Sequence, residues 1–189
     1  MSDRYRPRFS HLGCFAFDPE AQAEFYCREF GLIVTDSGTG TTGHHVVFMS
    51  GDPHEHHQLV FANGREPDSK PLTNQISFRV KDVAALKTYA THYAEIGIPL
   101  VQCKTHGNAL SIYIHDPEGN TVEIYCHTPW YVEQPAGAPM DLSKSEHEIL
   151  AESEALCRAH PSFQMREAWS RRIQGRLHDR IGNGNASSA

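Results

Sequence analysis

The sequence lacks the main features of membrane-bound, secreted and nucleic-acid-binding proteins. Its 189 residues contain no apolar run of the ~18–20 residues that cross a membrane. The N-terminal segment lacks the apolar stretch of a signal peptide, so we expect a cytoplasmic protein. There is no block of Lys and Arg, and the formal net charge of -6 disfavours phosphate binding. We therefore expect no membrane and no nucleic acid among its partners.

The cysteines are not arranged for disulfide or zinc-thiolate chemistry. The five cysteines are an odd number, and no two of them form a Cys-x-x-Cys pair. Each lies in an apolar stretch, so we interpret them as small core residues. Histidine is instead abundant, with 13 residues, five of which lie between positions 44 and 57. This clustering favours metal chemistry.

The order of the predicted elements repeats once along the chain. Asp18 and Asp82 are predicted helix caps, and Gly31 and Gly97 are predicted helix stops. The first copy is a strand, a helix and three strands, over residues 9–17, 19–30, 32–36, 46–49 and 57–62. The second copy has the same order, with strands at 74–80, 98–103, 109–114 and 121–126 and a helix after Asp82. The repeat is weak in identity but clear in element order.

This order predicts an α+β fold built from two paired βαβββ modules, at about 8–63 and 73–128. The modules are expected to form a cupped, barrel-like sheet. We place a single domain at 1–135 and a helical tail at 136–189, in which the second helix is predicted to begin directly after Pro161. The tail helices are expected to pack on the barrel, on a partner subunit or at the mouth of the site, and we expect a homo-oligomer.

The repeat also predicts which distant residues meet inside the cup. Equivalent inward positions pair His11 with Gln75, and His57 with Glu123. Taken singly, a histidine at a strand start is usually a hydrogen-bonded structural residue. Two imidazoles and one carboxylate on equivalent positions can instead occupy one face of a metal ion, with Gln75 as a weaker oxygen ligand. We therefore predict a metal site formed by these four residues.

One run of the second module resembles a known signature. It contains His106, Ile112-Tyr113, an Asp-Pro-Glu-Gly turn at 116–119 and Glu123. This pattern resembles type I extradiol ring-cleaving dioxygenases, in the vicinal oxygen chelate superfamily that also contains glyoxalase I. The Asp-Pro-x-Gly-x-x-x-Glu ending is common across that superfamily, whereas the added His and Tyr favour the extradiol branch. Lys104 departs from the signature, which prefers small, amide or β-branched residues there.

The resemblance implies a set of site residues. It implies that His11 and Glu123 bind Fe(II), with Mn(II) or another divalent ion possible. It also implies that His106 and Tyr113 hydrogen-bond substrate oxygens, and that His57 matches a histidine lining the oxygen pocket. The third ligand in well-known members is a histidine where this chain has Gln75. We hypothesise that His57 replaces that histidine and that Gln75 is a fourth donor.

Three functions follow from these residues. The first is a non-haem Fe(II) extradiol dioxygenase that opens a catechol-type aromatic diol with O2, using His106 as acid or base and Tyr113 as hydrogen-bond donor. The second is a glyoxalase- or epimerase-like isomerase or lyase, which Gln75 as a ligand favours. The third is a non-enzymatic small-molecule binding protein of the same fold. The metal-ligand residues weigh against the third function.

The remaining histidines of the cluster receive no role from the sequence. His56 alternates with His57, so we expect its side chain on the opposite face of a strand. His115 adjoins the Asp-Pro turn and is interpreted as a loop residue.

Overall fold

The computed structural model describes residues 7–66, 68–71 and 73–183. The first module contains one helix, α1, and four strands, β1 to β4: β1 Leu12–Ala16, α1 Pro19–Phe30, β2 Ile33–Thr39, β3 His45–Ser50 and β4 Leu59–Asn63. The second contains α2 and β5 to β8: β5 Ile76–Arg79, α2 Val83–Glu95, β6 Gln102–Thr105, β7 Ala109–His115 and β8 Thr121–His127. After these come β9 Trp130–Tyr131, β10 Ala138–Pro139, α3 Glu146–Ala159, β11 Gln164–Met165 and α4 Arg166–Asn183.

The strand order confirms the predicted repeat. The first sheet has the order β1-β4-β3-β2, in which β1 runs parallel to β4 and the other neighbours are antiparallel. The second sheet has the order β10-β6-β7-β8-β5. When β10 is set aside, β5-β8-β7-β6 repeats β1-β4-β3-β2 position by position. The α+β fold with two βαβββ modules is therefore confirmed, and within the described residues the strands form separate sheets with no closed barrel.

The described residues group into two compact units. The first unit comprises residues 9–78 and 114–123, and the second comprises 7–8, 79–113 and 124–183. All four predicted metal ligands belong to the first unit, whereas His106 and Tyr113 belong to the second. The division into a domain at 1–135 and a tail at 136–189 stays a prediction.

Local capping explains why the two module helices begin where the sequence predicts. The side chain of Asp18 accepts a hydrogen bond from the backbone N–H of Ala21 at 3.0 Å, and α1 begins at Pro19. Asp82 caps α2 in the same way through Ala85 N–H, also at 3.0 Å. Gly31 ends α1 with φ 68°, a left-handed conformation that favours glycine.

The C-terminal helices pack within the second unit. Ser145 and Glu148 form a reciprocal capping box at the start of α3. A buried cluster joins Cys157 of α3 to Trp130 and Val132, which precede the helix. Three further apolar residues pack against this cluster: Ala136, Leu150 and Phe163. Helix α3 thus packs against residues 130–132, and the predicted packing of the tail on the barrel, on a partner subunit or at the mouth of the site stays a prediction.

The second tail helix begins later than predicted. The sequence places it directly after Pro161, but α4 begins at Arg166. Gln164 and Met165 instead pair as β11 with Tyr131 and Trp130 of β9. These backbone pairings take up the residues that the predicted helix would have used.

Among the described helices, none is long and apolar enough to span a bilayer.

Candidate metal centre

The predicted ligands lie at or near strand starts of the first unit. His11 directly precedes β1, His57 lies two residues before β4, and Gln75 directly precedes β5. Glu123 is the third residue of β8. The sequence predicted that His11, His57 and Gln75 lie inside strands, at 9–17, 57–62 and 74–80 respectively. The structure begins these strands later, so the three side chains extend from loop ends.

The two histidines of the set are in contact. The ring centroids of His11 and His57 lie 4.2 Å apart. His11 is exposed and His57 is half-buried. Desolvation lowers the pKa of His57, and His11 and His56 lower it further. A lowered pKa favours the neutral imidazole, which is the form that binds a metal ion.

The ring of His56 lies against His57, so the prediction that it faces away was wrong. The two Nδ1 atoms are 2.8 Å apart, and His56 Nε2 lies 2.8 Å from Oδ2 of Asp36. The period-two alternation on which that prediction rested applies inside a strand. Both histidines precede β4, which begins at Leu59, so the alternation does not reach them.

The amide and the carboxylate of the set are also in contact. Gln75 Nε2 donates a hydrogen bond to Oε2 of Glu123 at 2.8 Å. The hydroxyl of Ser77 donates to the same oxygen at 2.7 Å. The Glu123 residue is only 8% exposed. Ser77 was not among the predicted site residues, although in the strand predicted at 74–80 its spacing of two from Gln75 would place both on one face.

The structure thus shows two separate contacts among the four residues, His11 with His57 and Gln75 with Glu123. Over the described ranges, no group of three or more His, Cys, Asp or Glu side chains is arranged to hold a metal ion. The four-ligand site stays a prediction. Its donors are two imidazole nitrogens, a carboxylate oxygen and an amide oxygen, and this set fits a divalent ion such as Fe(II) or Mn(II).

The Asp-Pro-Glu-Gly turn before β8 is held by the buried Asp116. Its Oδ1 accepts the backbone N–H groups of Glu118 at 3.0 Å and Asn120 at 2.9 Å. Its Oδ2 accepts the hydroxyl of Tyr26 at 3.0 Å. Gly119 has φ 77°, which the tight turn requires. The motif is therefore structural: it sets the start of the strand that carries Glu123.

Glu118 connects the same turn to the start of α1. Its carboxylate accepts the backbone N–H of Asp18 at 2.9 Å and of Phe17 at 3.0 Å. Arg65 Nη1 lies 3.3 Å from its Oε2, and the side chains of Arg65 and Glu118 are 8% and 1% exposed. We call these buried contacts of Glu118 the clamp. The clamp holds the turn before β8 against residues 17–18, which follow β1.

His106 and Tyr113 form a hydrogen-bonded pair in the second unit. His106 Nε2 lies 2.8 Å from the Tyr113 hydroxyl, and Nδ1 lies 2.9 Å from the carbonyl oxygen of Ala136. Since a carbonyl only accepts, Nδ1 carries the proton and Nε2 accepts from the hydroxyl. Lys104 Nζ lies 5.1 Å from the centroid of the Tyr113 ring. The predicted contacts of this pair with substrate stay predictions.

A groove surrounds His106 on this unit. Residues 102–104 and 134–139 line it together with the imidazole. Its walls therefore combine one imidazole, the ammonium group of Lys104 and the amide of Gln134. Such a groove can hold a small molecule next to the His106–Tyr113 pair.

The family of the chain follows from a comparison with known proteins. Residues 8–124 match the Glyoxalase/Bleomycin resistance protein/Dioxygenase superfamily. The chain therefore belongs to this superfamily, which the resemblance of the run from His106 to Glu123 implied, whereas membership of the extradiol branch stays a prediction. No curated protein matches the chain significantly.

Solved structures with a similar fold share little sequence with the chain. A glyoxylase/bleomycin resistance protein/dioxygenase domain from Frankia has 16% identity and a TM-score of 0.55, covering 65% of this chain and 99% of its own. A mutant of the fosfomycin resistance protein FosX from Listeria monocytogenes, complexed with Mn(II) and dihydroxypropylphosphonic acid, has 16% identity and a TM-score of 0.50, covering 63% and 91%. Lactoylglutathione lyase from Agrobacterium tumefaciens has 21% identity and a TM-score of 0.47, covering 65% and 95%. At these identities the likeness concerns the fold alone.

Proposed function

We propose that the chain is a divalent-metal-dependent isomerase or lyase of glyoxalase type. The observation that carries this proposal is the hydrogen bond from Gln75 Nε2 to Glu123 Oε2 at 2.8 Å. An amide thus lies beside the carboxylate where extradiol enzymes have a histidine. Because the Gln75 nitrogen donates to Glu123, its carbonyl oxygen is the atom available to a metal ion. Carbonyl and carboxylate oxygens suit hard divalent ions such as Mn(II).

The residues of the first unit have distinct roles in this proposal. When bound, a divalent cation supplies Lewis-acid stabilisation of the negative charge that develops on a substrate oxygen. His11, His57, Gln75 and Glu123 would hold it. Glu123 is the carboxylate that accepts a proton from a substrate carbon next to a carbonyl group. Gln75 and Ser77 hold its Oε2 in place by hydrogen bonds of 2.8 and 2.7 Å.

A specific observation also favours the extradiol dioxygenase as a second candidate. His106 Nε2 and the Tyr113 hydroxyl lie 2.8 Å apart, and these are the two residues that the extradiol signature adds to the general superfamily pattern. A hydroxyl donor next to an imidazole is suited to hydrogen-bond and protonate the oxygens of a diol substrate. The two candidates differ in whether O2 is consumed.

One set of assays separates the candidates. Protein purified without oxygen is loaded in separate samples with Fe(II), Mn(II) or Ni(II). Each sample is assayed with the hemithioacetal of a 2-oxoaldehyde and a thiol, and in air with catechol and 2,3-dihydroxybiphenyl. We expect a 2-hydroxyacyl thioester product without O2 uptake. O2 uptake with yellow ring-fission products would instead establish the dioxygenase.

Substitutions connect the activity to the site. Glu123→Gln should lower turnover by about 100-fold or more, because it removes the proposed general base. Glu24→Gln is the matched control, since the Glu24 side chain is 80% exposed on α1. If Glu123→Gln retained full turnover and full metal affinity, the proposed function would be wrong.

A further inference from the structure

A chain of hydrogen bonds leads from the first sheet to His57. Asp36 Oδ2 lies 2.8 Å from His56 Nε2, and His56 Nδ1 lies 2.8 Å from His57 Nδ1. We propose that Asp36 and His56 are positioning residues that set the tautomer and orientation of His57 as a metal ligand. This inference rests on the proposed function, because it assigns to His57 a ligand role.

The donor and acceptor capacities along the chain determine which nitrogen of His57 carries the proton. The Asp36 carboxylate can only accept, so His56 Nε2 donates to it. The proposed chain requires a neutral His56, whose lone pair is then on Nδ1; a protonated His56 would instead donate to His57 Nδ1 and leave the proton of His57 on Nε2. For the contact between the two Nδ1 atoms to be a hydrogen bond, His57 Nδ1 must carry the proton. The lone pair of His57 is therefore on Nε2, the atom available to a metal ion.

An irregularity in β2 brings Asp36 to the start of this chain. The pairing of β2 with β3 shifts register between Val34 and Asp36, and Asp36 lies opposite Phe48. Such a bulge inserts one extra residue and redirects the side chains that follow it. Without the bulge, each side chain of β2 from Asp36 onward would point to the other face of the sheet. The bulge thus determines that Asp36 reaches His56.

Aromatic contacts hold the two imidazole rings in place. The Phe48 ring centroid lies 5.5 Å from that of His56 and 5.1 Å from that of His57. The His11 ring packs on His57 at 4.2 Å. The imidazole of His57 therefore has packing partners besides its hydrogen bond to His56. A carboxylate–histidine pair behind a ligating group commonly raises metal affinity, and its loss costs about 10–100-fold.

Metal titration tests the inference directly. Mn(II) is titrated into the full chain, and free Mn(II) is followed by electron paramagnetic resonance. His56→Leu removes the acceptor for His57 and should weaken Mn(II) binding by about 10–100-fold. His56→Asn keeps an acceptor oxygen near the position of Nδ1 and should restore most of the affinity. His54→Leu is the matched control, because His54 is an exposed histidine of the same loop and should change nothing.

A second measurement needs no variant. Long-range 1H–15N correlation spectra of the metal-free protein, labelled on histidine nitrogens, distinguish the two neutral tautomers of His57. The expected tautomer carries the proton on Nδ1. A His57 with the proton on Nε2 would overturn the inference even if every variant failed to fold.

The outcomes separate this inference from the proposed function. The inference is wrong if His56→Leu binds Mn(II) as tightly as the natural chain, whether or not His57→Ala weakens binding. The proposed function is wrong if Glu123→Gln leaves both Mn(II) affinity and turnover unchanged. Loss of affinity in His56→Leu with rescue in His56→Asn supports the inference, because a purely structural defect would not be rescued by one acceptor atom.

Discussion

Two carboxylates of the Asp-Pro-Glu-Gly turn, those of Asp116 and Glu118, are buried and accept backbone N–H groups. Buried carboxylates are costly unless such donors surround them. The motif that most strongly indicated a family in the sequence therefore acts through folding. It positions Glu123, which lies four residues beyond Gly119.

Replacing Glu118 should be strongly destabilising. Glu118→Ala leaves the N–H groups of Phe17 and Asp18 without their acceptor and leaves the buried Arg65 guanidinium without its ion-pair partner. We expect a loss of roughly 3–5 kcal/mol in the free energy of unfolding, measured by urea denaturation. Glu24→Ala, on an exposed surface, should change it by less than about 0.5 kcal/mol. Similar losses in both variants would contradict the clamp.

At the scale of elements, local capping residues predicted where the helices of the two modules begin. Pairing between distant strands, in contrast, shifted the start of α4. The predicted bounds of α1, 19–30, match the structure because Asp18, Pro19 and Gly31 act within a few residues. The start of α4 was misplaced because β9 pairs with residues 164–165. That pairing depends on a segment more than thirty residues away. No local sequence pattern around residues 164–165 indicates it.

Close packing around Gly107 predicts a difference between two glycine substitutions. A Cβ on Gly107 would lie 2.6 Å from Val132 Cγ2 and 3.0 Å from Cys157 Sγ, whereas one on Gly97 would meet no atom within 4 Å. Both residues have positive φ, 77° and 75°. Gly97→Ala should cost about 1–2 kcal/mol for backbone strain alone. Gly107→Ala should cost a further ~1–3 kcal/mol from overpacking against Val132 and against Cys157 of α3.

Thermal and urea unfolding of both variants measure this difference. Equal losses in the free energy of unfolding would show that Val132 and α3 both move away at no cost. In that case the cluster of Trp130, Val132 and Cys157 would not hold the tail helix in place.

His127 connects β8 to α4 and predicts a pH dependence. Its Nε2 accepts a hydrogen bond from Arg166 at 3.0 Å and lies 3.3 Å from Arg79 Nη1. Desolvation lowers the pKa of His127, and Arg166 and Arg79 lower it further. Below about pH 6.5 the unfolded chain binds a proton at this residue before the folded chain does. Its contribution to stability therefore falls as the pH falls through that range.

His127→Gln keeps an acceptor for Arg166 but does not titrate. Urea denaturation between pH 5 and pH 8, at fixed salt, compares it with the natural chain. The natural chain should lose more stability on acidification below about pH 6.5 than the variant. Parallel profiles would show that this histidine contributes no pH dependence.

For the whole molecule, metal binding should be coupled to folding. An ion that binds only the folded chain stabilises it by about 2.7 kcal/mol at 100 times its Kd. For a chain of 189 residues this corresponds to a rise in Tm of about 5–10 °C. Differential scanning calorimetry with and without Mn(II) measures the rise. Glu123→Gln should abolish most of it and Glu24→Gln should retain it; an equal rise in both would place the bound ion elsewhere.

The sequence alone determined the repeated order of elements, the bounds of α1 and the superfamily. The first two depend on neighbouring residues or on a pattern that two modules share, and the superfamily came from the resemblance of the run from His106 to Glu123 to a known signature. The equivalence between the two modules limited the candidate metal ligands in the sequence to four residues. The structure adds that His11 contacts His57 and that Gln75 contacts Glu123.

Only the tertiary structure decided what surrounds these pairs. The contacts of Ser77 with Glu123, of Asp36 with His56 and of Glu118 with the start of α1 join residues between 20 and 101 positions apart. Such contacts depend on strand register, on the bulge in β2 and on where β4 begins. A shift of one residue in any of these would turn the side chains to the other face, so no local pattern in the sequence specifies them.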